Sequence, residues 1–231
     1  ESELVLAGDA SIKKTGDLVF KSLSIKGYKL TLNTNINSLT TNHIWLLNDW
    51  DSSDAKYLAT TGELLAQGVD TTLKKPLWVE KGKFKMGAGI LTLEQGGELG
   101  EGGELDLTGS TLELTGPFYN YKGKGTLTTS ASTLSLNSNV KFEPGNEVTF
   151  ATYKSNGWGM VLHNDIDDTS IATNLTLGTN GVDLTLQPNT NSLTSGFVNS
   201  YWNGTSYSGS SHVIGIESHK VELTINGNLK L

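Results

Sequence analysis

Apolar residues recur two positions apart in very short runs along the whole chain. Examples are Leu-Val-Leu at 4–6, Leu-Val-Phe at 18–20, Lys-Leu-Thr-Leu at 29–32, Ile-Leu-Thr-Leu at 90–93 and Glu-Leu-Asp-Leu at 104–107. Thr-Leu-Glu-Leu at 111–114, Thr-Leu-Ser-Leu at 133–136, Asn-Leu-Thr-Leu at 174–177 and Val-Glu-Leu-Thr-Ile at 221–225 continue the pattern. A period of two sends alternate side chains to opposite faces, which predicts β-strands. Gly, Asn or Asp separates most runs and supplies the turns. The only stretch with any helical character is 51–67, where Gly62 allows at most a short helical turn. The chain is therefore read as all-β.

The spacing of the runs narrows the architecture. Near Glu-Leu-Asp-Leu-Thr-Gly and Ser-Thr-Leu-Glu-Leu-Thr-Gly, runs follow one another about every seven residues. Faces this short suit an elongated β-solenoid or β-prism. Segments 140–150 and 212–225 have longer alternation and read as more sandwich-like. An internal echo divides the chain. Ile-Trp-Leu-Leu-Asn-Asp-Trp-Asp at 44–51, then Gly-Val-Asp at 68–70, is answered by Met-Val-Leu-His-Asn-Asp-Ile-Asp at 160–167, then Gly-Val-Asp at 181–183. This predicts two related modules, 1–116 as shaft and 117–231 as receptor-binding tip.

Composition now excludes several classes. Of 231 residues, 27 are Gly, 28 Thr, 22 Ser and 19 Asn, while hydrophobic residues make up only 36%. All 17 basic residues are Lys, there is no Arg, and the net charge is −7. Such a chain lacks the basic footprint that neutralises nucleic-acid phosphates. The longest apolar runs, such as Ile44 to Leu47, fall far short of the roughly 20 residues that span a bilayer. Eleven of the Lys lie at or before residue 85, whereas Glu94, Glu98, Glu101, Glu104, Asp106 and Glu113 follow without any Lys among them. That asymmetry does not suit an anionic membrane surface. The absence of Cys removes disulfides and thiolate metal sites. No leader-like segment opens at Glu1, which reads as a mature product or an excised piece. The expected setting is extracellular: a cell surface or a virion fibre.

Candidate chemistry is sparse. Asp49, Asp51 and Asp54 follow Asn48, and Asp165, Asp167 and Asp168 follow His163 and Asn164. Alternate carboxylates in a turn could converge on calcium, although Asp54 and Thr60 stand where an EF-hand requires Gly and Glu. Asx-turns at strand ends explain the same residues without a metal. Glu98, Glu101 and Glu104 could offer the carboxylate pair of a glycosidase. No aromatic platform lies near them in sequence, so a solvated sheet face is preferred. The four His have no zinc-binding spacing, and no nucleophile elbow or phosphate loop is present. No cofactor is expected apart from a calcium ion, and no catalysis.

Aromatics carry more information. Trp158, the group Tyr201, Trp202, Asn203 and Tyr207, and Phe118, Tyr119 and Tyr121 all lie in Gly/Asn/Ser-rich stretches. Trp and Tyr beside amides and hydroxyls suit a sugar, whose pyranose offers an apolar C–H face and a polar rim; they equally suit a protein interface or closure over strand ends. The predicted ligand contacts are Trp158, His163, Tyr201, Trp202, Asn203 and Tyr207. Trp45, Trp50 and Trp78 sit in apolar strand-like runs and are expected in the core. Lack of Arg disfavours a carboxylate-bearing ligand and makes a neutral sugar the more natural partner.

Two passages resemble trimeric fibre proteins of bacteriophage tails and bacterial surfaces. In the segment 211–231 the match is carried by Ile214, Gly215, Ile216, Val221, Leu223, Ile225, Gly227, Asn228 and Leu229. Pro-Leu-Trp-Val-Glu-Lys-Gly at 76–82 is similar to the strand that opens many shaft segments of such fibres. Separately, 11–20 resembles a strand of autotransporter solenoids. The fibre resemblance implies a homotrimer whose distal module touches a surface receptor, and a trimer would bury apolar faces that a thin lone shaft could not. The expected function is non-catalytic adhesion to a surface glycan or protein. A monomeric β-solenoid stalk and a polysaccharide-degrading tailspike are the alternatives.

Overall fold

The computed structural model describes residues 2–45, 48–51, 56–59, 61–120, 124–145, 148–154, 156, 158–162, 173–177, 184–185, 201–202, 207–208, 214–216, 221–225 and 229–230. Among them every regular element is a strand. The strands stack as a parallel β-solenoid of three faces; the earliest coils supply strands to the first two faces, and the third face begins at Leu77–Val79.

The first face, rich in Thr, runs through Ser2–Val5, Gly16–Ser24, Ile36–Trp45, Asp70–Leu73, Ile90–Leu93, Thr111–Leu114, Thr133–Leu136 and Thr152–Lys154. The second, the ion-pair face, runs through Ala10–Ile12, Lys29–Leu32, Glu63–Leu65, Lys83–Lys85, Glu104–Asp106 and Thr126–Thr128. The third, the aromatic face, begins with Leu77–Val79, Gly97–Leu99, Phe118–Asn120, Val140–Glu143, Met160–Leu162 and Ile214–Ile216. It ends on the antiparallel pair Tyr201–Trp202 and Tyr207–Ser208. A further parallel sheet joins Val148–Phe150, Thr173–Leu177 and Val221–Ile225.

Strand alternation explains why these sequences take this form. Leu30, Leu64, Phe84 and Leu105 are successive register partners, all fully buried. On the first face Leu91, Leu112 and Leu134 form one such column, and Leu73, Leu93, Leu114 and Leu136 form another. On the third, Phe118 packs against Phe142, which also packs against Phe150 of the further sheet, with ring centroids 5.7 and 6.0 Å apart and the rings tilted. Each fully buried side chain of this size contributes about 1.5–3 kcal/mol, so the columns are the main source of cohesion. The intervening Thr, Ser, Lys and Glu face outward.

Corners are tight. Gly96 has φ +79°, and a Cβ there would lie 1.8 Å from the Pro117 carbonyl oxygen of the next coil. Only Gly fits both the conformation and the close approach. Asn120 is an inward polar side chain whose hydrogen bonds are made within the stack. Asn120 is buried; its amide donates to the Gly125 and Pro144 carbonyls at 3.0 and 2.9 Å, and its oxygen accepts the Gly125 amide at 2.9 Å.

Several expectations are resolved here. The all-β solenoid is observed. The helical turn considered for 51–67 is replaced by strands at Lys56–Ala59 and Glu63–Leu65, because Leu64 and Ala66 fill core positions of the stack. The segments expected to be more sandwich-like contribute parallel strands: Val140–Glu143 pairs with Phe118–Asn120, and Val221–Ile225 with Thr173–Leu177. Among the described residues the apolar columns pack against one another within one chain.

The Phe stack gives a direct check. Phe142→Ala should cost about 3–5 kcal/mol of stability by chemical denaturation. A loss below about 1 kcal/mol would show that the ring does not belong to a close-packed column.

Candidate functional site

The solenoid presents its outward side chains as rows, because register partners in successive coils point the same way. On the ion-pair face the rows alternate in charge. Lys29 Nζ lies 3.3 Å from Glu63, Lys83 Nζ 2.6 Å from Glu104, and Lys85 Nζ 3.0 Å from Asp106. The hydrogen bond to Glu104 raises the Lys83 pKa. Burial works to raise the Asp106 carboxyl, but bonds from Thr108 and the Lys85 ammonium outweigh it and hold it below its usual range. These pairs neutralise one another and leave that face without a single dominant charge.

The aromatic face is built differently. Its outward row reads Trp78, Glu98, Tyr119, Glu143 in four consecutive coils. The inward row beside it reads Leu77, Gly97, Phe118, Phe142, so the backbone beneath the outward row is anchored on the core. Trp78 is 49% exposed. This corrects the expectation that Trp78 lies in the core: Leu77 and Val79, its neighbours on either side, take the buried positions. Glu98 and Tyr119 are half-buried beside it. Burial pushes the Glu98 carboxyl up, and the neighbouring Glu80 carboxylate pushes it the same way. Glu143 is buried.

The carboxylates once grouped as 98, 101 and 104 separate in space. Glu98 is on the aromatic face, Glu104 on the ion-pair face, and Glu101 sits in the turn between them with Lys124 Nζ at 3.1 Å. The aromatic neighbours that Glu98 lacks in sequence come from adjacent coils, 20 and 21 positions away.

The other predicted residues are distributed as follows. Trp158 is half-buried at a corner and packs against the core, ahead of Gly159, whose amide donates to Asn139 at 2.7 Å. Tyr201 and Trp202 form a strand at the end of the aromatic face, with Tyr201 in register with Ile216 and Trp202 paired with Tyr207 across the hairpin. Tyr201, Trp202 and Tyr207 therefore share one sheet with Trp78 and Tyr119, at its opposite end. His163 and Asn203 lie outside the described residues.

Asp49 and Asp51 are on the strand Asn48–Asp51 of an antiparallel hairpin, in register with Leu58 and Lys56. Asp54, Asp165, Asp167 and Asp168 lie outside the described residues. Among the described residues no group of three or more His, Cys, Asp or Glu is arranged to hold a metal. No helix among them is long and apolar enough to cross a membrane.

Comparison with protein-family models, curated proteins and solved structures found no match.

The site has a pH signature. The folded-state pKa of Glu98 lies above its unfolded value, so the folded state favours the protonated acid. Its contribution to stability is present below the ordinary carboxylate range and is lost as pH rises through the raised pKa. Glu98→Gln should therefore raise the melting temperature at neutral pH, and the gain should disappear in acid. A variant no more stable than the parent at neutral pH would show that Glu98 is already compensated.

Proposed function

We propose that this chain is a non-catalytic segment of an extracellular fibre or spike that adheres to a cell-surface glycan. The observation that carries this reading is the row Trp78, Glu98, Tyr119, held in register on a sheet that is anchored on a packed core. An exposed indole offers the apolar, polarizable surface on which a pyranose C–H face stacks, and neighbouring carboxylates accept sugar hydroxyls. Little ordering accompanies binding to strands already held in a hydrogen-bonded sheet, which keeps the entropic cost of association low. The hairpin carrying Trp202 and Tyr207 extends the same sheet and supplies a second aromatic group for a long ligand.

The homotrimer rests on the fibre resemblance of residues 211–231 and 76–82. A second reading, a monomeric solenoid stalk with a structural role, is favoured by the self-contained core. Hydrolysis has less support, since Glu98 and Glu104 occupy different faces and cannot flank one bond.

On a glycan array, Trp78→Ala should weaken binding by about thirtyfold, the scale of roughly 2 kcal/mol for an anchoring aromatic. Unchanged binding by the Trp78→Ala/Trp202→Ala double variant would remove the aromatic face as the site, and release of reducing sugar would contradict the non-catalytic reading. Light scattering should return the mass of three chains, whereas the mass of one chain would favour the stalk.

A further inference from the structure

The geometry points to an amino-sugar polysaccharide, a chain of linked hexosamine units bearing free ammonium groups, as the ligand of the row Trp78, Glu98, Tyr119; this rests on the glycan reading above. The argument comes from comparing two faces of the same solenoid. On the ion-pair face Glu63, Glu104 and Asp106 each have a Lys as register neighbour, with ion pairs of 2.6–3.3 Å. At the corresponding place on the aromatic face, Glu98 has Trp78 on one side and Tyr119 on the other. The fold's own device for compensating an in-register carboxylate is an ammonium group in the adjacent coil, and here rings stand in its place. A cation that arrives between those rings completes the pattern.

Each component of the row favours the same ligand. A half-buried carboxylate is costly to leave ionised and gains a strong charge-assisted hydrogen bond when an ammonium reaches it. The faces of Trp78 and Tyr119 attract cations as well as apolar surface. The charged groups around the row are Glu80 just past Leu77–Val79, Lys81 in the following turn, and Lys141 and Glu143 on the next strand. Neither Lys stands in the row itself. Burial and the Glu80 carboxylate both resist ionisation of Glu98, the condition an incoming ammonium would relieve.

Spacing selects a polymer. Adjacent parallel strands are about 4.8 Å apart, so the two rings stand about 10 Å apart along the stack with the carboxylate midway. An extended oligosaccharide lying along the solenoid can rest alternate pyranose rings on Trp78 and Tyr119 and bring an amino substituent between them to Glu98.

Calorimetry of the full chain at mildly acidic pH tests this with three probes: an N-acetylglucosamine oligosaccharide, its fully de-N-acetylated counterpart of equal length, and oligolysine. The de-N-acetylated chain should bind about tenfold tighter than the acetylated one, the scale of one partly desolvated charge-assisted contact. Added salt should shrink that preference. Glu98→Gln should abolish the preference while retaining affinity for the acetylated chain, and Trp78→Ala should weaken both. Glu3→Gln, an exposed carboxylate on the Thr-rich face, should leave the preference intact. Equal affinity for the two oligosaccharides would overturn the amino-sugar inference and leave the glycan reading standing; binding of neither would overturn both. Oligolysine binding as tightly as the amino sugar, or loss of the preference in Glu3→Gln, would overturn the inference in favour of general attraction to a chain of net charge −7.

Discussion

Backbone hydrogen bonding between successive coils is the constraint on which the rest of this molecule depends. Through the middle of the stack it fixes a residue opposite the one 20–22 positions further on, as in Leu64, Phe84, Leu105 and Leu127. Once that register is set, inward positions become apolar columns and outward positions become rows of like chemistry. A slip of one residue would turn every Leu outward and every Thr, Lys and Glu inward. Short strands suffice because those inside the stack are bonded along both edges, and because neighbouring coils bury what a single coil could not. The Gly-rich corners belong to the same constraint: the Gly96 turn lets one coil approach the next closely enough for the strands to pair.

Rows on a rigid stack make function a matter of which residue lies one coil away. Lys opposite Glu gives a self-compensated surface. Trp and Tyr on either side of Glu give a platform. Both faces use the same backbone, the same spacing and nearly the same number of carboxylates, and they differ only in what the neighbouring coil contributes. The terminal hairpin fits this logic too. A parallel stack ends in an unpaired edge that invites association, and the antiparallel strands Tyr201–Trp202 and Tyr207–Ser208 continue the aromatic face with a pair that turns back on itself.

Much of the fold was legible in the sequence, because strand periodicity is local: runs such as Thr-Leu-Glu-Leu and Thr-Leu-Ser-Leu announce strands that bury one face. The coil length was harder to see. Register separations vary between 19 and 24 residues from Glu63 to Leu162 and widen to 34 at Lys29 and Glu63 and to 54 at Met160 and Ile214, and the corners differ in sequence, so the repeat shows mainly as Leu stacked on Leu. The Asn-Asp-apolar-Asp echo is more conspicuous than the coil repeat but does not follow it: Ile44 is on the Thr-rich face and Met160–Leu162 on the aromatic face. Trp78 was misread because a Trp between Leu and Val looks apolar in sequence, yet it holds the outward parity of its strand. The partnership of Glu98 with two aromatic rings could not be read from neighbouring letters at all, since its members come from three coils. Aligning the chain on its Leu columns would have revealed it.

The absence of Cys from the natural sequence makes the register directly measurable. Register partners on adjacent strands lie within the Cα separation of about 4.4–6.8 Å that a disulfide accepts. In the folded chain, Glu98→Cys paired with Tyr119→Cys should oxidise quantitatively to an intramolecular disulfide, whereas Glu98→Cys paired with Glu113→Cys, on a different face, should remain reduced. Failure of the first pair to close, or equal closure of both, would contradict the coil register from which the core, the ion-pair face and the aromatic row all follow.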